Sequence, residues 1–323
     1  MTTLAVNLRD RTALSAWARE HGVYLALLVL IVYNAIATPN FLTVDTVQLL
    51  FSQVPPVIIV SLGMALVIGT GGVDLSVGAT MAIASAVLAK FVVGVGAPIG
   101  VAMAAAVVAG LLVGVFNGLV VAFARVQPIV ATLGVLVAGR GIALVITGGA
   151  LVELFVPFFK DVRLGKFLGI PYVMIVAALL AVAIAFVVRR TAFGYRLLAI
   201  GGNRRASVLA GLPVRRTLIV VYTISGTLAA VAGVIATARL RASDPSYIGL
   251  LMELSAITAV VVGGTSLNGG RVRILGTVAG AILLQMLETT LVSHNAPDSV
   301  ARMVEAVIII AAVYIQRPAR SSR

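Results

Sequence analysis

From Gly96 to Val121 the chain runs without a charged residue, and comparable apolar stretches recur along most of its length. A helix needs about 20 predominantly apolar residues to cross a bilayer. It can do so because all its backbone N–H and C=O groups pair within the segment. The pattern therefore predicts an all-α, polytopic integral membrane protein of about ten transmembrane helices, at 22–38, 49–69, 75–93, 96–121, 128–148, 169–188, 217–238, 250–264, 274–292 and 299–316. The runs at 22–38 and 250–264 are short, and those at 49–69 and 96–121 carry Gly or Pro, so Gly-interrupted or re-entrant segments are expected. Composition closes the alternative of a soluble core. Hydrophobic residues make up 61% and charged residues 11% of the 323, where a soluble domain carries roughly a quarter charged residues.

The polar punctuation sets the organisation. Residues 1–21 form a cytoplasmic N-terminal tail, 22–316 a single transmembrane domain with its longest loop at 189–216, and 317–323 a cytoplasmic C-terminal tail. The apolar run Val23–Val32 followed by "AIA" at 35–37 imitates a secretory signal, but the spans that follow favour an uncleaved first helix. Alternate loops hold 16 and 6 Lys or Arg residues, with Arg140 and Arg302 inside spans. Basic residues accumulate on the cytoplasmic side, which places both termini inside. The same distribution explains the formal charge of +13 without nucleic acid as a partner. With no cysteine and two distant histidines, His21 and His294, the chain offers no thiolate or zinc site and no Ser-His-Asp set.

The stretch "GTGGVDLSVGAT" at 69–80 interrupts two apolar runs. Its glycines Gly71, Gly72 and Gly78 suit a structural break, and Asp74 has two readings. It is either a cap accepting from the amides that open the next helix or, as an intramembrane acid, a pathway residue. "GGVDLSVG" at 71–78 aligns with "GGTSLNGG" at 263–270, an internal repeat that makes Gly263, Gly264, Gly269 and Gly270 a second break. The basic loop contains "NRRASVLAGL", in which Asn203 is an N-cap, Gly211 and Pro213 are stop signals, and Val208, Leu209 and Leu212 share an apolar face. That is either a topology-setting loop or a short helix on which a partner protein docks.

"NFLT" at 40–43, "GTGGVDLSVG" at 69–78, "NG" at 117–118, "TLG" at 132–134, "FGYRLLAIGGN" at 193–203 with "AGL" at 210–212, and "VVGGTSLNGG" at 261–270 together resemble the ribose-permease family of bacterial ABC monosaccharide importers. The late stretch "GLLMELSAITAVVVGGTSLNGGR" is most similar to the galactofuranose-permease branch. The resemblance implies location in the inner membrane, a second permease subunit (identical or a related paralogue), and a periplasmic or lipid-anchored sugar-binding protein. It also implies ATPase subunits that bind ATP and Mg and contact the loop carrying Gly201, Gly202, Asn203, Ala206, Ala210, Gly211 and Leu212. Two positions depart from the family's pattern: Ser255 stands where relatives often have Asp, and Glu288 where they often have Asn.

The chain lacks GxxxxGK[ST], the loop whose amides and Lys hold nucleotide phosphates, so no cofactor and no catalytic role of its own is expected. Gln53, Asn117, Thr132, Tyr222, Gln285 and Glu288 are candidate pathway residues, each equally readable as packing. Glu253 is a further candidate, or an acid solvated near the outer interface. Arg302 and Glu305 suit a helical i,i+3 pair. The expected function is ATP-driven import of a pentose or a furanose/hexose sugar. The alternatives are import of nucleosides or branched-chain amino acids, or ion-coupled secondary transport through a buried carboxylate.

Overall fold

A computed structural model describes residues 21–310, apart from 125, 298, 301, 302, 305 and 309. The helices are α1 (His21–Ala37), α2 (Val44–Gln53), α3 (Pro55–Gly69), α4 (Val77–Ala89), α5 (Ile99–Leu119), α6 (Pro128–Thr147), α7 (Pro157–Leu164), α8 (Tyr172–Arg190), α9 (Ala192–Gly202), α10 (Arg204–Leu209), α11 (Val214–Leu240), α12 (Met252–Val262) and α13 (Ile274–Ser293). Wider π turns at Lys90–Gly94 and Val120–Ala124 extend α4 and α5. Among the described residues there are four two-residue strands: β1 (Val152–Glu153) pairs antiparallel with β4 (Ala242–Ser243), and β2 (Lys166–Phe167) with β3 (Ile170–Pro171). The fold is otherwise all-α.

Six helices are long and apolar enough to cross a membrane, or seven if α2 and α3 count as one bent span. Ten are not reached among the described residues, and the differences have local causes. The expected span at 49–69 is two helices meeting at 41°. Pro55 and Pro56 open α3, and neither can donate to a carbonyl of the preceding turn. The expected span at 250–264 contracts to the 11 residues of α12, because Gly249 and Leu251 both take positive φ and end any helix before it. Most of the expected span at 299–316, the tails at 1–20 and 317–323 and the Arg302–Glu305 pair lie outside the described residues, and His21, expected in the N-terminal tail, opens α1.

The glycines of 96–121 do not break that helix. Gly110, Gly114 and Gly118 fall one turn apart on α5 and press onto α11. A Cβ added at Gly110 would lie 2.6 Å from the carbonyl oxygen of Gly226, and one at Gly118 would lie 2.7 Å from the Cα of Ile219. Small residues at this spacing let helix backbones approach where lipid supplies no hydrophobic drive. Around this pair, α3 forms the buried centre, closed in from Ile58 to Gly69 and flanked by α11, α12, α13 and α8.

Two ends result. One gathers the C-termini of α3 and α12, the N-termini of α4, α11 and α13, and the short helices α9 and α10. The other gathers α7, the two small ladders and the C-termini of α11 and α13, while the N-terminus of α12 lies against the start of α4, at Gly78.

Candidate functional site: a glycine layer and a polar cavity

At the first end the expected repeat becomes a physical contact. After α3 the chain turns at Gly71 (φ +80°), and before α13 it turns at Gly264, Gly269 and Gly270 (φ +74° to +86°). The amide of Gly270 donates to the carbonyl of Gly69 across 3.0 Å. Gly201, at the end of α9, closes the layer: a Cβ there would strike the Gly69 carbonyl and the Gly270 amide. Gly201 is thus wedged between the two turns, whereas Gly202, Asn203, Ala206, Ala210 and Gly211 are exposed and Leu212 is half-buried. Asn203 accepts from the amide of Ala206 at 3.0 Å and so caps α10, while Gly211 turns the chain out of it at φ +74°. Val208 and Leu209 are exposed, beside a groove of about 700 Å³ lined by Val121, Val208, Leu212, Pro213 and Arg216 among others.

Gly263 and Gly78 belong elsewhere than in the turns. Gly263 lets α12 cross α13 at Gly276. Gly78 lies inside α4, where a Cβ would meet the carbonyl of Gly249 and stand 2.6 Å from Glu253 Oε2.

Behind the layer, Asp74 is 1% exposed. Its Oδ1 accepts from the Ser76 amide (3.0 Å) and hydroxyl (2.6 Å), and its Oδ2 from the Ser225 hydroxyl of α11 (2.8 Å). Asn117 of α5 donates to Ser76 Oγ at 2.7 Å. The helix opens at Val77 rather than Leu75, and the Leu75 amide donates to Thr132 Oγ1 of α6 at 3.0 Å. Asp74 and Thr132 therefore share the free amides of the break, and Asp74 also ties it to α11. Tyr222 is buried beside Gly72, with its hydroxyl and Asn117 Oδ1 lacking hydrogen-bond partners among the described residues. Asp74, Asn117 and Thr132 thus gather around one buried break, with Tyr222 packed beside it.

At the second end lies a cavity of about 770 Å³. Gln53 from α2, Arg239 from α11, Tyr247 from the β4–α12 loop, and Gln285 and Glu288 from α13 line it, together with Ser255. Gln285 Nε2 lies 3.1 Å from Glu288 Oε2 and 3.4 Å from Gln53 Oε1, and Arg239 Nη1 donates to the Gln53 carbonyl at 3.3 Å. The structure thus brings together three of the expected pathway residues. Both positions that depart from the family pattern, Ser255 and Glu288, stand on this wall. Sequence reasoning missed Arg239, counted as an outer-loop charge. It belongs to the last turn of a continuous 27-residue helix, and a basic residue adjoining so long an apolar run is the signal that could have found it. Glu253 is 8% exposed, neither solvated at the interface nor on the cavity wall.

Chemically, the cavity interleaves amide donors and acceptors with one carboxylate, Glu288, and two guanidinium groups, Arg163 and Arg239, a set of donors and acceptors that suits a molecule rich in hydroxyls, each both donor and acceptor. Among the described residues no group of His, Cys, Asp and Glu is arranged to hold a metal.

Comparisons agree with this architecture. The galactofuranose transporter permease of Escherichia coli K12 is 37% identical over 93% of this chain and 90% of its own. The ribose import permease of Bacillus subtilis 168 is 39% identical over 92% of each chain. The L-arabinose ABC transporter permease of Azospirillum brasilense is 33% identical over 94% of this chain and 88% of its own. No solved structure matches. Residues 47–313 match the family model described as branched-chain amino acid transport system / permease component. On that match, which takes in the glycine layer and the cavity alike, the chain belongs to this family of transport permeases and is a multi-pass membrane protein.

Proposed function

We propose that this permease is the membrane subunit of an ATP-driven importer for a monosaccharide, a pentose or a furanose/hexose, and works by alternating access. The observation that carries the reading is the convergence of Gln53, Gln285, Glu288 and Arg239 on one cavity. It is supported by relatives named for galactofuranose, ribose and L-arabinose, although the family's description names amino acids. A sugar delivered by a periplasmic or lipid-anchored binding protein would enter at the cavity end. The capped helix α10 and the groove beside it would receive the ATPase subunits, which bind ATP and Mg. A second permease subunit completes the assembly in the inner membrane. The 16 to 6 split of Lys and Arg between alternate loops of the sequence supports both termini facing the cytoplasm.

The test is uptake into proteoliposomes holding the permease, its ATPase and its binding protein. Labelled ribose, arabinose and galactofuranose should enter with ATP and continue when a protonophore is added. Uptake that collapses with the proton gradient would make the protein ion-coupled, and uptake confined to leucine or a nucleoside would reassign the cavity.

A further inference from the structure

The loop between β4 and α12, residues 244–251, walls the cavity with Tyr247, Ile248, Gly249 and Leu250. It is wound into one closed turn. The amides of Tyr247 and Ile248 donate to the Asp244 carbonyl at 3.1 and 2.9 Å, and the Ser246 amide donates to Asp244 Oδ1 at 2.9 Å. That turn leaves the carbonyls of Pro245 and Ile248 facing α6, where Arg140 Nη1 donates to both at 2.7 Å. A second anchor lies at Gly249 (φ +70°), whose main chain rests on that of Gly78 in α4. Just beyond, Leu251 is held at φ +58°. A non-glycine residue stays in that region only where its surroundings enforce it.

Glu253 follows two residues later. Its Oε2 is buried and has no hydrogen-bond partner among the described residues, although the side chain is coupled electrostatically to Arg140. A buried carboxylate oxygen without a partner is costly, and the guanidinium that would relieve it is engaged on the loop carbonyls. One cation thus stands between two acceptors, the loop and the acid. Its carrier, α6, packs chiefly on α4, and its other end is tied to the glycine break through Thr132. From Thr132 to Arg140 is about 12 Å along the helix, so a shift of the glycine layer reaches the loop through one rigid element.

We propose that Arg140 is a positioning residue for transport: it clamps the 244–251 loop against the cavity, and Glu253 is the seat that receives its guanidinium when the loop lifts. The proposal rests on the cavity being the transport path. The native chain has no cysteine, so Ser246→Cys and Ser293→Cys can carry spin labels that report the distance from the loop to α13 in the assembled transporter. Arg140→Gln should lengthen and broaden that distance and lower uptake about tenfold or more, the shift carried by losing the charge-assisted hydrogen bonds to both carbonyls. Arg140→Lys, able to reach one carbonyl at a time, should recover part of both. Glu253→Gln should leave the resting distance unchanged while reducing the lifted population during ATP turnover. Arg140→Gln with the parent distance and uptake, or Glu253→Gln with the parent turnover distribution, overturns the clamp. If Arg140→Gln does not assemble, Arg140→Lys and Glu253→Gln decide, and parent behaviour in both overturns it. The distances are read without reference to substrate, so a wild-type transporter that carries leucine would refute the sugar assignment and leave this test intact.

Discussion

At the glycine end the main chains of two turns and the end of α9 touch one another, whereas at the cavity end side chains from several elements meet across open space. At Gly201 and Gly270 an added methyl group would meet main-chain atoms, which leaves the geometry there little freedom. Gln53, Arg239, Gln285 and Glu288 hold one another through longer hydrogen bonds of 3.1–3.4 Å. Such contacts can be exchanged for contacts with a ligand at little cost. The difference separates a joint that transmits displacement from a surface that receives a substrate.

Breaking the joint should have the largest effect on stability. Gly201→Val puts side-chain carbons onto main-chain atoms that cannot rotate away. Overpacking typically costs 1–3 kcal/mol, and here about 3 kcal/mol or more is expected. Thermal unfolding and recovery of the purified complex would show it, and a Val variant as stable as the parent would mean that the turns are not in contact.

Asp74 comes next. Asp74→Ala removes the acceptor of three hydrogen bonds inside the protein and should lower stability by about 1–3 kcal/mol. Asp74→Asn keeps an oxygen for Ser76 and offers an amide that the Ser225 hydroxyl can accept, so about 1 kcal/mol or less is expected. Measuring uptake beside melting temperature separates the two roles of this acid. A stable but inactive Asn variant would show that the charge itself is needed for transport.

The cavity should respond in the opposite way. Glu288→Gln is expected to change stability by less than about 0.5 kcal/mol and to lower sugar uptake about tenfold, since hydrogen bonds to a charged group are worth about 1.5–3 kcal/mol. A loss of stability without a change in uptake would move Glu288 out of the pathway.

The smallest effect on the permease itself is expected at Leu209, which is 89% exposed on α10. Leu209→Asp should leave its stability within about 0.5 kcal/mol of the parent while weakening co-purification with the ATPase subunits. Undiminished co-purification would place that contact elsewhere.

Much of the glycine end was legible in the sequence. Asn203, Gly211 and Pro213 delimit a helix because caps and stops act within a few residues of the backbone groups they satisfy. The match between 71–78 and 263–270 marked two related turns, though not that the amide of Gly270 reaches the carbonyl of Gly69. The cavity was less legible. Gln53 and Gln285 are 232 residues apart, and nothing in the residues near either one names the other. Arg239 was counted as a loop charge because hydropathy windows do not show where a helix ends against its neighbours.

By itself the sequence determined that the chain crosses a membrane repeatedly and that glycine-rich turns follow the apolar runs ending near 69 and 262. Those properties depend on transfer free energy and on local backbone geometry, both summed over neighbours in the chain. Only the tertiary structure decided that 49–69 bends into two helices, that Asp74 meets Ser225 across 151 residues, and that Arg140 lies on the 244–251 loop with Glu253 beside it. In hydrocarbon every helix face is equally apolar, so hydropathy does not distinguish a face turned to lipid from one turned to protein. Close approach at glycines and the pairing of buried polar groups make that choice, and both are properties of the packed bundle.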